Sequence, residues 1–170
     1  LDFFNLTSDD NDQNEPESLE DPDGALGGEL AEGMEFFAWL DDGDNIFETG
    51  EKPLFGTTTQ SASIVLDDKT YVIGDSRSGG ECRVNQSRYV GIYWCAGDLS
   101  VNLALAEISC DGSALGNAAQ TDSMSVDISI RAMPSKENPK FLCSKDKPPH
   151  DDDREPRQPR EPRNPREYRR

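Results

Sequence analysis

Across residues 123–132 apolar and polar side chains alternate without a break. Met124, Val126, Ile128, Ile130 and Ala132 fall on one side, with Ser125, Asp127, Ser129 and Arg131 on the other. A two-residue period is that of a β-strand with one face buried. Shorter runs, bounded by Gly, Asp, Asn and Ser, predict further strands at 1–6, 34–40, 63–66, 70–73, 87–95 and 100–108. Seven strands with turn-rich connections predict an all-β domain over residues 1–144, a jelly-roll-like β-sandwich with long loops. Helix signals are confined to single turns at 29–32 and 134–138. Residues 7–28, rich in acids and interrupted by Pro16 and Pro22, predict a long surface loop, because such a composition does not support a packed element.

From residue 145 to 170 the pattern ends and Pro, Arg, Glu and Asp take over. Proline recurs at every third position from Pro156 to Pro165, which favours polyproline II with its three residues per turn. Arg154, Arg157, Arg160, Arg163, Arg166 and Arg169 then share one ridge. At about 3.1 Å per residue such a rod reaches on the order of 50 Å, enough to touch a neighbouring molecule. Its plainer reading is a solvated tail.

Charge narrows the class of partner. The 170 residues carry a formal net charge of -17, and the last 20 hold seven Arg against six acids, leaving 28 acids against ten bases in the body. A polyanion of this kind is repelled by nucleic acid and by anionic membranes, and suits cations or basic partners. No run of about 18 apolar residues is present to span a bilayer.

Cys82, Cys95, Cys110 and Cys143 are scattered, and His150 is the single histidine, so zinc-ligand spacing is lacking. Two disulfides fit better and imply an oxidising compartment. Four cysteines allow three connectivities. The favoured pairing joins Cys95 to Cys110, closing a strand pair locally, and Cys82 to Cys143. Sequons at Asn5 and Asn85 fit export and glycosylation. No leader-like segment precedes Leu1, so an exported chain begins after a processing point.

The one cluster resembling a binding site is residues 40–51, which carry Asp41, Asp42, Asp44, Glu48 and Glu51. With Glu51 as position twelve of an EF-hand-like loop, Asp42, Asp44 and Glu48 take three, five and nine, and the Ile46 carbonyl takes seven. Calcium is the cofactor such a loop would hold. Leu40 at position one has no donor, though Asp41 can shift in, and Asn45 replaces the usual glycine, tolerating a left-handed backbone. Without calcium the same residues make an acidic, solvated turn.

Enzymatic chemistry finds little support. His150 lies among prolines and acids in the tail, far from any arrangement with a buried serine. No phosphate-binding glycine loop appears, and the many acids offer no specific carboxylate pair for glycoside hydrolysis. Tyr89, Tyr93 and Trp94 are expected in the core, as strand aromatics usually are, with a glycan platform as the alternative.

Residues 34–51, beginning Met34-Glu35-Phe36-Phe37-Ala38-Trp39-Leu40-Asp41-Asp42-Gly43-Asp44, resemble the strand and acidic turn of the SipW-dependent signal-peptide proteins, the camelysin and TasA-like class. Tyr89-Val90-Gly91-Ile92-Tyr93-Trp94-Cys95 is similar to a further block of that family. So is the run from Ala119-Gln120-Thr121-Asp122-Ser123 to Asn138-Pro139-Lys140-Phe141-Leu142-Cys143.

The resemblance implies a secreted β-sandwich of the archaeal or bacterial cell surface that polymerises into biofilm or bundling fibres. Subunits there are joined by donor-strand exchange, with each N-terminal strand completing the next subunit's sheet. Such head-to-tail contacts build filaments. Relatives carry several strands ahead of the block that residues 1–6 resemble. Either those strands are missing, or Leu1, Phe3, Phe4 and Leu6 form the donor. The expected function is therefore a non-enzymatic subunit of an extracellular filament or matrix fibre, with itself as partner. A surface adhesin for glycans or host cells is the alternative, and a hydrolase, suggested by the name camelysin, ranks last.

Overall fold

A computed structural model describes residues 1–11, 14–20, 27–78, 80, 82, 85–134 and 136–143. Along them run β1 (Asp2–Asp9), α1 (Glu17–Glu20), α2 (Leu30–Gly33), β2 (Met34–Asp41), β3 (Lys52–Phe55), α3 (Ala62–Val65), β4 (Lys69–Thr70), β5 (Tyr89–Ala96), β6 (Asp98–Asn102), β7 (Glu107–Asp111) and β8 (Ser123–Ser129). The fold is all-β and sandwich-like. Its layers are a sheet in the order β4-β1-β8, a sheet in the order β3-β2-β5, and the hairpin β6-β7.

The sequence of β2 explains why it lies in the middle layer. A strand covered on both faces reads as a continuous apolar run rather than an alternation, and Phe36, Phe37, Ala38, Trp39 and Leu40 form such a run. Ala38 belongs to a core with Leu1, Phe3, Phe55, Ala62, Val65 and Leu66, beneath the first sheet. Phe37 and Trp39 belong to another with Phe47, Cys95 and Leu99, beneath the hairpin. Phe37 and Trp39 stack with ring centroids 5.4 Å apart, and Phe47 meets both edge-on. Gly91 on β5 belongs to this packing, because a Cβ there would run into the Trp39 ring. Glu35, also buried, is satisfied by the amide of Leu99 at 2.7 Å.

Strand β1 runs past the predicted residue 6 to Asp9 by way of a bulge. Its pairing with β8 shifts register between Phe4 and Thr7, and Asn5 sits there at φ 53°. The extra residue exchanges the inward parity, so that Phe3 and then Leu6 both meet the core. The loop expected over 7–28 thus loses its first residues to a strand, and it also holds α1.

Other expectations are corrected. Residues 63–66 are not a strand: Ala62–Val65 form α3, whose Leu66 amide bonds back to Ala62 O at 2.7 Å, and whose Ala62 and Val65 face the core at helical spacing. The predicted strand at 70–73 shrinks to the two-residue β4. The single strand at 100–108 is the β6-β7 hairpin, because the Asn102 side chain caps a turn by accepting from the amides of Ala104 and Leu105. Strand β3 was not predicted; it contains Pro53, which an edge position tolerates.

Asp2 fastens the ends of the described chain. It accepts from Arg131 Nε at 2.7 Å, Arg131 Nη2 at 3.1 Å and Thr70 Oγ1 at 2.6 Å, and Arg131 Nη2 also donates to the Cys143 carbonyl at 2.8 Å. Burial pushes the Asp2 carboxyl up, but the hydrogen bonds from Arg131 and Thr70 and the Arg131 charge outweigh it, leaving the group below the usual carboxylate range.

Candidate functional site

The acidic loop after β2 is held by its own carboxylates. Asp41 Oδ2 accepts from the amides of Gly43 at 2.9 Å and Asn45 at 3.2 Å, while Oδ1 accepts from Trp39 Nε1 at 3.1 Å. Glu51 bridges the loop, accepting from the amides of Asp42 at 3.0 Å and Glu48 at 2.9 Å. Asn45 adopts the left-handed conformation expected of it, at φ 59°. The donors divide into two groups: oxygens of Asp42, Asp44 and Glu48 lie within 4.8 Å of one another, as do those of Asp41, Asp42 and Glu51. Glu51 is therefore grouped apart from Asp44 and Glu48. Ile46 is exposed, and its amide donates to Asp44 Oδ1 at 2.9 Å.

A second feature follows from the registers. Phe55, Ala38 and Ile92 form a row across the middle sheet, while Phe3 and Ile128 are paired across the first. Phe3 and Tyr71 both contact the Phe55 ring, so the β4 side lies over β3. The β8 edge consequently lies on the same side as the β5 edge. Met124 and Val126 reach the core there, but Ile128, next on the same face of β8, is 54% exposed. On β5, Ile92 and Trp94 share the face of the core-packed Val90, yet they are 38% and 60% exposed. Among the described residues no strand covers this side of the sandwich. Beyond β8, Ile130, Met133, Pro139 and Phe141 line a groove of about 800 Å³.

The expected core placement of Tyr89, Tyr93 and Trp94 is therefore corrected. All three are exposed: Trp94 lies on the face towards the first sheet, which ends at β8, whereas Tyr89 and Tyr93 lie on the opposite face with Gly91 and Cys95. The long alternation at 123–132 gave no sign of this: it identifies the inward face of a strand, and whether anything lies opposite depends on the other sheet.

The remaining predicted residues are distributed as follows. Leu1, Phe3, Phe4 and Leu6 lie in or beside β1, central in its own sheet; Phe3 is buried, and the Leu1 amine donates to Tyr71 O at 3.0 Å. Cys95 and Cys110 form a disulfide, with Cα atoms 5.5 Å apart. Cys82 and Cys143 are not bonded to each other, which corrects the expected second bridge: exposed Cys82 donates to Gln86 O at 3.0 Å, and buried Cys143 faces Gly74 O at 3.7 Å. Asn5 and Asn85 are exposed, and the Asn5 amide donates to Asp127 Oδ2 at 3.0 Å. Arg154, Arg157, Arg160, Arg163, Arg166 and Arg169 lie outside the described residues. Among the described residues no helix is long and apolar enough to cross a membrane. No family model, curated protein or solved structure matches the chain.

Proposed function

We propose that this chain is a non-enzymatic structural subunit of an extracellular filament or matrix fibre, secreted and joined to its neighbours by β-strand complementation. The observation that carries this reading is the side between β5 and β8, where an edge backbone and inward-facing apolar side chains meet with no covering strand among the described residues. An extended strand from a second copy, paired along β8, would cover Ile92, Trp94, Ile128 and Ile130. Burying their exposed portions yields on the order of 5 kcal/mol, comparable with the cost of association, so the main-chain hydrogen bonds of the added strand decide affinity.

In this reading β1 remains in its own sheet and the joint lies at β8. Calcium on Asp42, Asp44 and Glu48, and the arginine ridge against an acidic neighbour, belong to the same proposal. The disulfide supports an oxidising compartment. Negative-stain imaging and size-exclusion chromatography test the reading: the native chain should polymerise, and Ile128→Lys should give folded monomers. Native monomers under every salt and calcium condition would end it.

The exposure of Trp94 favours one competing reading, a glycan-binding adhesin. A glycan-array signal abolished by Trp94→Ala in a folded chain that never polymerises would establish that reading in place of the filament.

A further inference from the structure

A separate group of carboxylates lies where the residues after β1 meet the turn into β8. Oxygens of Asp10, Glu17 and Asp122 all lie within 4.8 Å of one another. Glu17 is 1% exposed. On a chain with 34 acids such a grouping has little meaning by itself. The disposition of its oxygens sets this one apart: both carboxylate oxygens of Asp10, and Oδ1 of Asp122, are shut off from solvent and accept no hydrogen bond.

Its neighbours are fixed in place. Asp122 Oδ2 accepts from the Leu30 amide at 3.1 Å, leaving Oδ1 as the unpartnered oxygen. Glu17 Oε2 accepts from the Asn14 amide at 3.1 Å and from Thr121 Oγ1 at 3.2 Å. Asn11 Nδ2 donates to Thr121 O at 3.0 Å and Ser123 Oγ at 2.9 Å, binding the two segments side by side. An ionised carboxylate removed from water without a partner is strongly disfavoured, and buried charges are ordinarily paired or bound to a metal.

We propose that Asp10, Glu17 and Asp122 form a calcium site that fastens the acidic excursion after β1 to the start of β8. The donors are all hard oxygens with no His or Cys among them, which selects calcium or magnesium over zinc. Calcium–oxygen distances of about 2.3–2.6 Å let two ligands lie up to about 5 Å apart across the ion, whereas magnesium at about 2.1 Å draws them closer. Oxygens within 4.8 Å of one another can all reach one calcium ion, and a site of three protein carboxylates suits calcium because magnesium keeps several of its waters. Water and main-chain oxygens would complete the shell. This site is distinct from the exposed loop at Asp41–Glu51 and does not depend on the filament reading.

The test uses the full chain, freed of metal with chelator and then titrated with calcium, followed by calorimetry and thermal unfolding. Calcium should raise the melting temperature more than magnesium does at equal concentration. Asp10→Asn should weaken calcium binding about tenfold or more, and in chelator it should melt above the native chain because it removes an unpartnered buried charge. A double variant of the exposed loop, Asp42→Asn with Asp44→Asn, should lose any calcium response at 41–51 yet keep the calcium-dependent amide shifts at Asp10, Glu17 and Asp122. Calcium affinity within twofold of native in Asp10→Asn would overturn the proposal, as would an equal loss of stability in calcium and in chelator. Should that variant fail to fold, amide shifts of the native chain decide: perturbation centred on 10–17 and 121–123 supports the site, and perturbation confined to 41–51 overturns it.

Discussion

Arg131 shows how one residue can hold several segments. Its guanidinium joins β1, through Asp2, to the Cys143 carbonyl near the end of the described chain. Arg131→Met keeps the packing of the stem but leaves Asp2 buried without its cation. An expected loss of about 2–3 kcal/mol at pH 6, the range for hydrogen bonds to charged groups, is measurable by urea denaturation. The pH dependence has a definite sign. Because the folded Asp2 carboxyl titrates below the ordinary range of a carboxylate, its stabilisation is complete above that range and is lost as pH falls through the lower, folded value. The gap between native and Arg131→Met stability should therefore narrow in that acid range, and a gap independent of pH would exclude the ion pair as its source. In sequence, Arg131 appeared only as a polar member of an alternating strand; its partner lies 129 positions away.

The β6-β7 hairpin is the element most dependent on a covalent tie. It covers the second core with Leu99, Val101 and Ile108, and the Cys95–Cys110 disulfide attaches it to β5 across a separation of 15 residues. A loop of that length corresponds to about 3 kcal/mol of stabilisation through the unfolded state. The Cys95→Ser, Cys110→Ser double variant should lose about that much in denaturant titration. Its β6 and β7 amides should exchange hydrogen sooner than those of β1 and β2, which lie central in their sheets. Uniform exchange across all strands would mean that the hairpin unfolds only with the whole domain. The local pairing of these cysteines was legible because both flank strand-like runs close in sequence. Cys82 and Cys143 offered no such neighbourhood, and the fold takes them to different surroundings.

For the whole molecule, net charge is the governing quantity. At -17 the folded chain repels itself, and salt relieves that repulsion by shortening the Debye length from about 30 Å at 0.01 M to about 3 Å at 1 M. Thermal stability should rise over this range. If the proposed assembly is joined through the arginine-rich residues 154–169, that association should respond in the opposite sense, because attraction between acidic and basic groups is screened as well. Sedimentation at low and high salt separates the two: dissociation with added salt alongside a rising melting temperature is expected, and salt-insensitive association would assign the joint to the apolar β8 side alone.

The strand period, the apolar run at 36–40 and the negative net charge were determined by sequence, because each depends on near neighbours or on composition. Tertiary structure alone decided which inward faces are covered. Ile128 and Val126 carry the same signal in the alternation, yet only Val126 meets the core. Likewise no spacing rule could join Asp10 and Glu17 to Asp122, since their proximity arises from β1 pairing with β8 at Asp9 and Ser123. The acidic loop was legible because its carboxylates lie close together in sequence; the group at Asp10, Glu17 and Asp122 was not, because it is assembled across the sheet.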